Sequence, residues 1–165
     1  MSANIARHHG GVILLLTFVA ALLLQMLSLP DWAQTLRPDW VALVLIYWCI
    51  ALPERVGVGV GWVAGLMLDV AHGALLGQNA LALAVVAYLA LRLHQRIRLF
   101  PMWQQAVSVL LLIALHLMLV LWIKGVTGQS AETWAYWWLP ALTSMLVWPL
   151  LFVVLRGLRR TYRIR

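Results

Sequence analysis

"GVGVGWVAGLMLDVAHGALLG", Gly57 to Gly77, decides how this chain is read. The stretch is apolar apart from His72 and one carboxylate, Asp69, and its small residues keep a regular beat. Gly57, Gly61, Gly65, Asp69, Gly73 and Gly77 recur every four positions. With about 3.6 residues per helical turn, that spacing draws at least the first four into one slowly drifting stripe. Small residues four apart let helix backbones approach closely, which matters most where lipid removes any hydrophobic force between helices. The stripe therefore predicts a helix-packing seam that carries Asp69.

The rest of the chain supplies that setting. Of its 165 residues, 64% are hydrophobic and the mean hydropathy is +0.92, whereas soluble domains use about 45–50% apolar residues. The composition predicts an all-α integral membrane protein, with residues 1–165 forming a single transmembrane domain. A net charge of +7 and a pI near 10.8 raise the question of nucleic acid. Only 10% of residues are charged, however, and they lie between apolar runs instead of forming a basic face, which argues against nucleic-acid binding. The single cysteine, Cys49, excludes an internal disulfide and a cysteine metal cluster, and is read as a buried small hydrophobe. Arg7–Leu29 is too long for a signal-peptide core and no small-residue cleavage site follows, so it is read as a retained first span.

A spanning helix needs about 20 mostly apolar residues. Gly11–Leu29, Trp103–Ile123 and Trp134–Leu155 meet that length, and Trp40–Leu52, Val56–Ala71 and Ala74–Leu91 are shorter candidates. Six spans is the simplest count; the alternative makes the second and third a re-entrant hairpin. Six spans with the N-terminus inside place Arg7, Arg55, Arg92, Arg96, Arg98, Arg156, Arg159, Arg160, Arg163 and Arg165 on the cytoplasmic side, and only Arg37 and Lys124 outside. That bias predicts both termini in the cytoplasm. Trp32, Trp40, Trp122, Trp134, Trp137 and Trp138 then gather at the outer interface, where amphipathic rings prefer to sit.

Few residues can carry chemistry. A carboxylate facing lipid costs about 2.5–3.5 kcal/mol at a helix centre, so Asp69 is either a polar lock or ligand site between helices, or a group near its helix end reaching the headgroups beside His72. His116, inside the fifth span, should point inward to a hydrogen bond, making Asp69 and His116 the candidate interior polar groups. In "RPDW", Arg37–Trp40, Pro38 sets a turn and Asp39 caps the following helix. The second reading makes Arg37, Pro38, Asp39, Trp40 and Trp137 a partner-binding rim, because tryptophan and arginine are enriched at binding hot spots. "PERVG", Pro53–Gly57, is an inner turn with solvated Glu54 and Arg55. The basic stretch Arg92–Gln105 is read as an interfacial segment, and Arg156–Arg165 as a tail attracted to anionic lipids. His8, His9, His72 and His94 lack metal-ligand spacing with His116, and nucleophile elbows, zinc motifs and phosphate loops are missing, so no catalytic residue, metal or cofactor is expected.

Taken in order, Arg37–Leu89 resembles the MreD family of bacterial rod shape-determining membrane proteins. The resemblance rests on R-P-D before a short span bearing Tyr47 and Trp48, P-x-R-V-G at Pro53–Gly57, G-L-x-x-D at Gly65–Asp69, and G-x-x-L-G-x-N-A-L at Gly73–Leu81. Outside this central third, the chain matches in hydropathy, length and the basic segment ending at Phe100-Pro101. The resemblance implies a non-enzymatic component of the cell-elongation machinery in the inner membrane. Its implied partners are MreC, the MreB filament, and a RodA-type glycosyltransferase with its transpeptidase. It also implies a six-helix bundle similar to the substrate-binding subunits of energy-coupling-factor transporters. The alternative reading is a small-molecule-binding transporter subunit, in which Asp69 and His116 cradle a polar ligand.

Overall fold

A computed structural model describes residues 3–129 and 135–162. Seven helices follow one another: α1 (Ala3–Met26), α2 (Asp31–Gln34), α3 (Trp40–Ala51), α4 (Val58–His72), α5 (Gln78–Leu99), α6 (Met102–Val126) and α7 (Ala135–Thr161). The helix beyond the six expected is α2, a single turn between α1 and α3. Among the described residues, α5, α6 and the Trp137–Thr161 part of α7 are long and apolar enough to cross a membrane by length and composition, and Gly10–Met26, Trp40–Ala51 and Val58–His72 are shorter apolar helices. The described helices therefore support three clear spans and leave α1, α3 and α4 shorter in their apolar stretches.

The short helix α3 is the centre of the molecule. Every residue from Val41 to Ala51 is buried, as expected of a helix that is apolar all round. At about 1.5 Å per residue its 12 residues reach only about 18 Å, well short of a hydrocarbon core of about 30 Å. It meets protein on all sides: α1, α5, α6 and α7 pack around it. Tyr47 of α3 sits edge-on to Trp48 and Phe152 with ring centroids 5.2 and 5.7 Å apart, and Trp148 completes the aromatic cluster. The buried indole of Trp48 donates to Thr17 Oγ1 on α1 at 3.0 Å, which satisfies the one polar atom it takes inside.

Successive helices α4, α5, α6 and α7 pack as neighbours, with α4 against α5 the most intimate pair. Outward faces are apolar: Leu111 and Met118 of α6 and Leu146, Leu150 and Val153 of α7 are exposed. Surface of this kind on long helices suits contact with lipid. Arg92–Leu99 continues α5 as a helix, and α6 begins at Met102. The expected interfacial segment Arg92–Gln105 is thus two helix ends joined at Phe100-Pro101, because Pro101 lacks an N–H and biases the residue before it away from helix.

Candidate functional site

The carboxylate of Asp69 is fully buried. It lies in the last turn of α4 and receives four hydrogen bonds from the start of α5. Oδ1 accepts from Asn79 N and Asn79 Nδ2, each at 2.9 Å, while Oδ2 accepts from Gly77 N at 2.9 Å and Ala80 N at 3.3 Å. The first N–H groups of any helix lack internal partners and carry the positive end of the helix dipole. Asp69 supplies both the acceptors and the negative charge, so one helix caps the next. Of the two sequence readings, the structure shows the polar lock and not a carboxylate reaching for headgroups.

The four-residue beat has several causes. Gly61 and Gly65 form the close approach: a Cβ on Gly65 would lie 2.3 Å from Ala80 Cα, and one on Gly61 2.9 Å from Leu83 O. Gly57 is the N-cap of α4 and Gly73 its C-cap, with Gly73 at φ 60°; Gly77, at φ 98°, is the N-cap of α5. Nothing lies within 4 Å of a Cβ built on any of these three. The expected six-position seam is therefore three positions deep, Gly61, Gly65 and Asp69. Gly73 and Gly77 are there because the chain turns through left-handed backbone.

A second carboxylate ties three other helices. Asp39 is buried and caps α3 through Oδ1, which accepts from Ala42 N at 3.3 Å. Its Oδ2 accepts from His116 Nδ1 of α6 at 2.5 Å, and its backbone N–H donates to Ser144 Oγ of α7 at 3.0 Å. Arg37 reaches back to the end of α1, where Nη1 donates to Gln25 O at 2.5 Å and Nη2 to Leu27 O at 2.6 Å. Gln25 Oε1 in turn accepts from Trp40 N at 3.0 Å. The opposite end of α3 is closed by Arg98 of α5, whose Nε and Nη2 donate to Ile50 O and Ala51 O at 2.8 and 2.7 Å. Orphan backbone groups at both ends of the central helix thus find side-chain partners, Trp40 N and Ala42 N at its start and Ile50 O and Ala51 O at its end.

The residues of the expected rim are tied into the bundle. Arg37, Pro38 and Trp40 are half-buried and Asp39 is buried, so "RPDW" makes helix contacts within this chain. Trp137 is half-buried too, with Lys124 Nζ 5.4 Å from its ring centroid. Of the other expected belt residues, Trp32, Trp122 and Trp138 are exposed, while Trp134 falls outside the described residues. Glu54 and Arg55 are exposed on their turn, and Cys49 is buried. Among the described residues no group of three or more His, Cys, Asp or Glu could hold a metal ion.

Asp39 and Asp69, the carboxylates at the centre of these ties, belong to the stretches that carried the resemblance in sequence, and comparison with known proteins bears on it directly. The family model described as "rod shape-determining protein MreD" matches residues 7–158. The chain belongs to the MreD family. A rod shape-determining protein MreD of Haemophilus influenzae (strain ATCC 51907 / DSM 11121 / KW20 / Rd) is 31% identical over 150 residues, covering 89% of this chain and 90% of that relative. No solved structure matches. The chain is accordingly a membrane protein of a family that determines rod shape. In this MreD-family chain R-P-D supplies the α1, α6 and α7 ties, G-L-x-x-D supplies the lock, and G-x-x-L-G-x-N-A-L supplies its donors.

Sequence reasoning missed Gln25, Ser144 and the capping role of Arg98. Gln25 and Ser144 had a signal, since each is a polar side chain within an apolar run and calls for a partner. Arg98 had none, because it stands among other basic residues that topology already explained.

Proposed function

We propose that this chain is a non-enzymatic scaffold of the bacterial cell-elongation machinery, embedded in the inner membrane with both termini in the cytoplasm. In this reading it supports rod shape and peptidoglycan synthesis by binding MreC and a RodA-type glycosyltransferase with its transpeptidase, alongside the MreB filament. The observation that carries it is the use of the interior polar groups. Asp69 is saturated by four donors from α5, and Asp39 is held by α3 and His116, so both carboxylates serve helix–helix ties and not a ligand. Family membership supplies the shape role, and the arginine bias supports the orientation.

The test is replacement of the native gene in a rod-shaped host by a tagged copy, followed by microscopy and affinity purification. The expected outcome is rod shape with MreC and the synthase pair co-purifying, and cytoplasmic reporter activity for a fusion at Arg165. Recovery of an ATPase and a small ligand in their place would convict the scaffold reading and favour a transporter subunit.

A further inference from the structure

The arginine-rich end of the molecule contains a cavity that the helix ties leave unused. Arg156 and Arg160 stand one turn apart on α7, both exposed, with Gly157 between them. Together with Met102, the first residue of α6, and with Phe152 and Val153, they line a cavity of about 440 Å³. That volume falls within the roughly 300–1,000 Å³ typical of small-molecule sites.

Three features point to the same ligand chemistry. First, the described residues form one ion pair, His116 with Asp39, so neither arginine of the cavity is neutralised by a described carboxylate. Second, α6 is 25 residues long and its N-cap, Pro101, makes no side-chain cap hydrogen bond. Gln104 N and Gln105 N donate to Pro101 O, which leaves the N–H groups of Met102 and Trp103 and the positive end of the dipole at this end of α6, where an anion is favoured. Third, the remaining wall is apolar, and the Phe152 ring lies 6.0 Å from the Arg156 guanidinium. A free inorganic anion would use the cations and leave that wall bare, whereas an amphiphile uses both.

We infer that this cavity holds the phosphodiester headgroup of an anionic membrane phospholipid. Arg156 and Arg160 clasp the phosphate, which arginine's planar fork suits, and the first acyl carbons lie on Phe152 and Val153. The site is distinct from the diffuse attraction of a basic tail because it has a shape as well as a charge. The inference goes beyond the scaffold role and holds for any membrane-embedded form of the chain.

Native mass spectrometry of the full chain titrated with phosphatidylglycerol in detergent tests it. Four forms are compared: wild type, R156Q/R160Q, R92Q/R96Q and Gly157→Leu. All the substituted positions are exposed, and a Cβ on Gly157 meets nothing within 4 Å, so the variants keep the fold. R156Q/R160Q should weaken the first bound lipid by roughly tenfold or more. Gly157→Leu, which occupies the cavity without changing charge, should weaken it severalfold. R92Q/R96Q removes the same charge from the same end and should bind as wild type does. Unchanged binding in R156Q/R160Q or in Gly157→Leu, an equal loss in R92Q/R96Q, or displacement of the lipid by equimolar inorganic phosphate would each overturn the assignment.

Discussion

Asp69 shows how little freedom a buried carboxylate has once both oxygens are committed. Each oxygen accepts two N–H groups, three of the four from backbone that cannot move away without unwinding the first turn of α5. Asp69→Asn nearly preserves volume but turns one acceptor into an NH2 that faces N–H donors. Hydrogen bonds to a charged group contribute about 1.5–3 kcal/mol each, and a buried donor left without a partner costs about 1–3 kcal/mol. We therefore expect Asp69→Asn to destabilise the protein almost as much as Asp69→Ala, by about 3 kcal/mol or more. Asn79→Ala, which removes a single bond, should cost about half as much. Thermal unfolding in one detergent ranks the three. Behaviour of Asp69→Asn close to wild type would show that the charge and its acceptors are dispensable.

The closeness of α4 and α5 belongs to the helix pair and not to any one side chain. Gly65 touches backbone: its added Cβ would meet Ala80 Cα at 2.3 Å, Ala80 N at 2.5 Å and Asn79 O at 2.6 Å. Gly61 faces Leu83 O at 2.9 Å and Ala87 Cβ at 3.0 Å, and Gly59 on the far face meets nothing within 4 Å. Alanine at the three positions should therefore give three outcomes. Gly65→Ala forces the helices apart and disturbs the Asn79–Asp69 bonds beside it, so it should be the most damaging. Gly61→Ala should be milder, and Gly59→Ala neutral or stabilising by up to about 1 kcal/mol, since alanine is the better helix former. A flat series in thermal stability would remove the close approach from the account. The same helices show what the sequence could and could not say. Four-residue spacing identified Gly61, Gly65 and Asp69 as one face, because that information is local to a helix. It also swept in Gly73 and Gly77, whose reason is a positive φ, and spacing cannot tell packing from turning. The RPDW cap on α3 was legible for the same local reason. The bonds of RPDW to Gln25, His116 and Ser144 were not, because their partners lie 12 to 105 residues away and no pattern records which helix meets which.

Across the whole molecule the two carboxylate ties sit at different depths. Arg98 places the end of α3 level with the end of α5. From there α3 climbs only about 18 Å to Asp39, while α5 runs about 30 Å back to Gln78, so Asp39 is recessed by about 12 Å. His116 agrees, since it lies about 21 Å along α6 from its start at Met102. The Asp39–His116 pair is thus inside the bundle, where α1, α3, α6 and α7 converge, and water cannot replace a lost partner. Removing one member of a buried pair strands the other and typically costs about 3–5 kcal/mol, whereas replacing both with apolar or neutral groups is far gentler. We expect His116→Leu alone to fall in that range. His116→Leu combined with Asp39→Asn should recover a substantial part of the loss, because the stranded charge is gone while the amide oxygen can still cap Ala42. A double-mutant cycle read by thermal unfolding gives the coupling directly. Strictly additive losses would mean that the two side chains do not support one another, and that the convergence of these helices rests on the aromatic cluster of Tyr47, Trp148 and Phe152 instead.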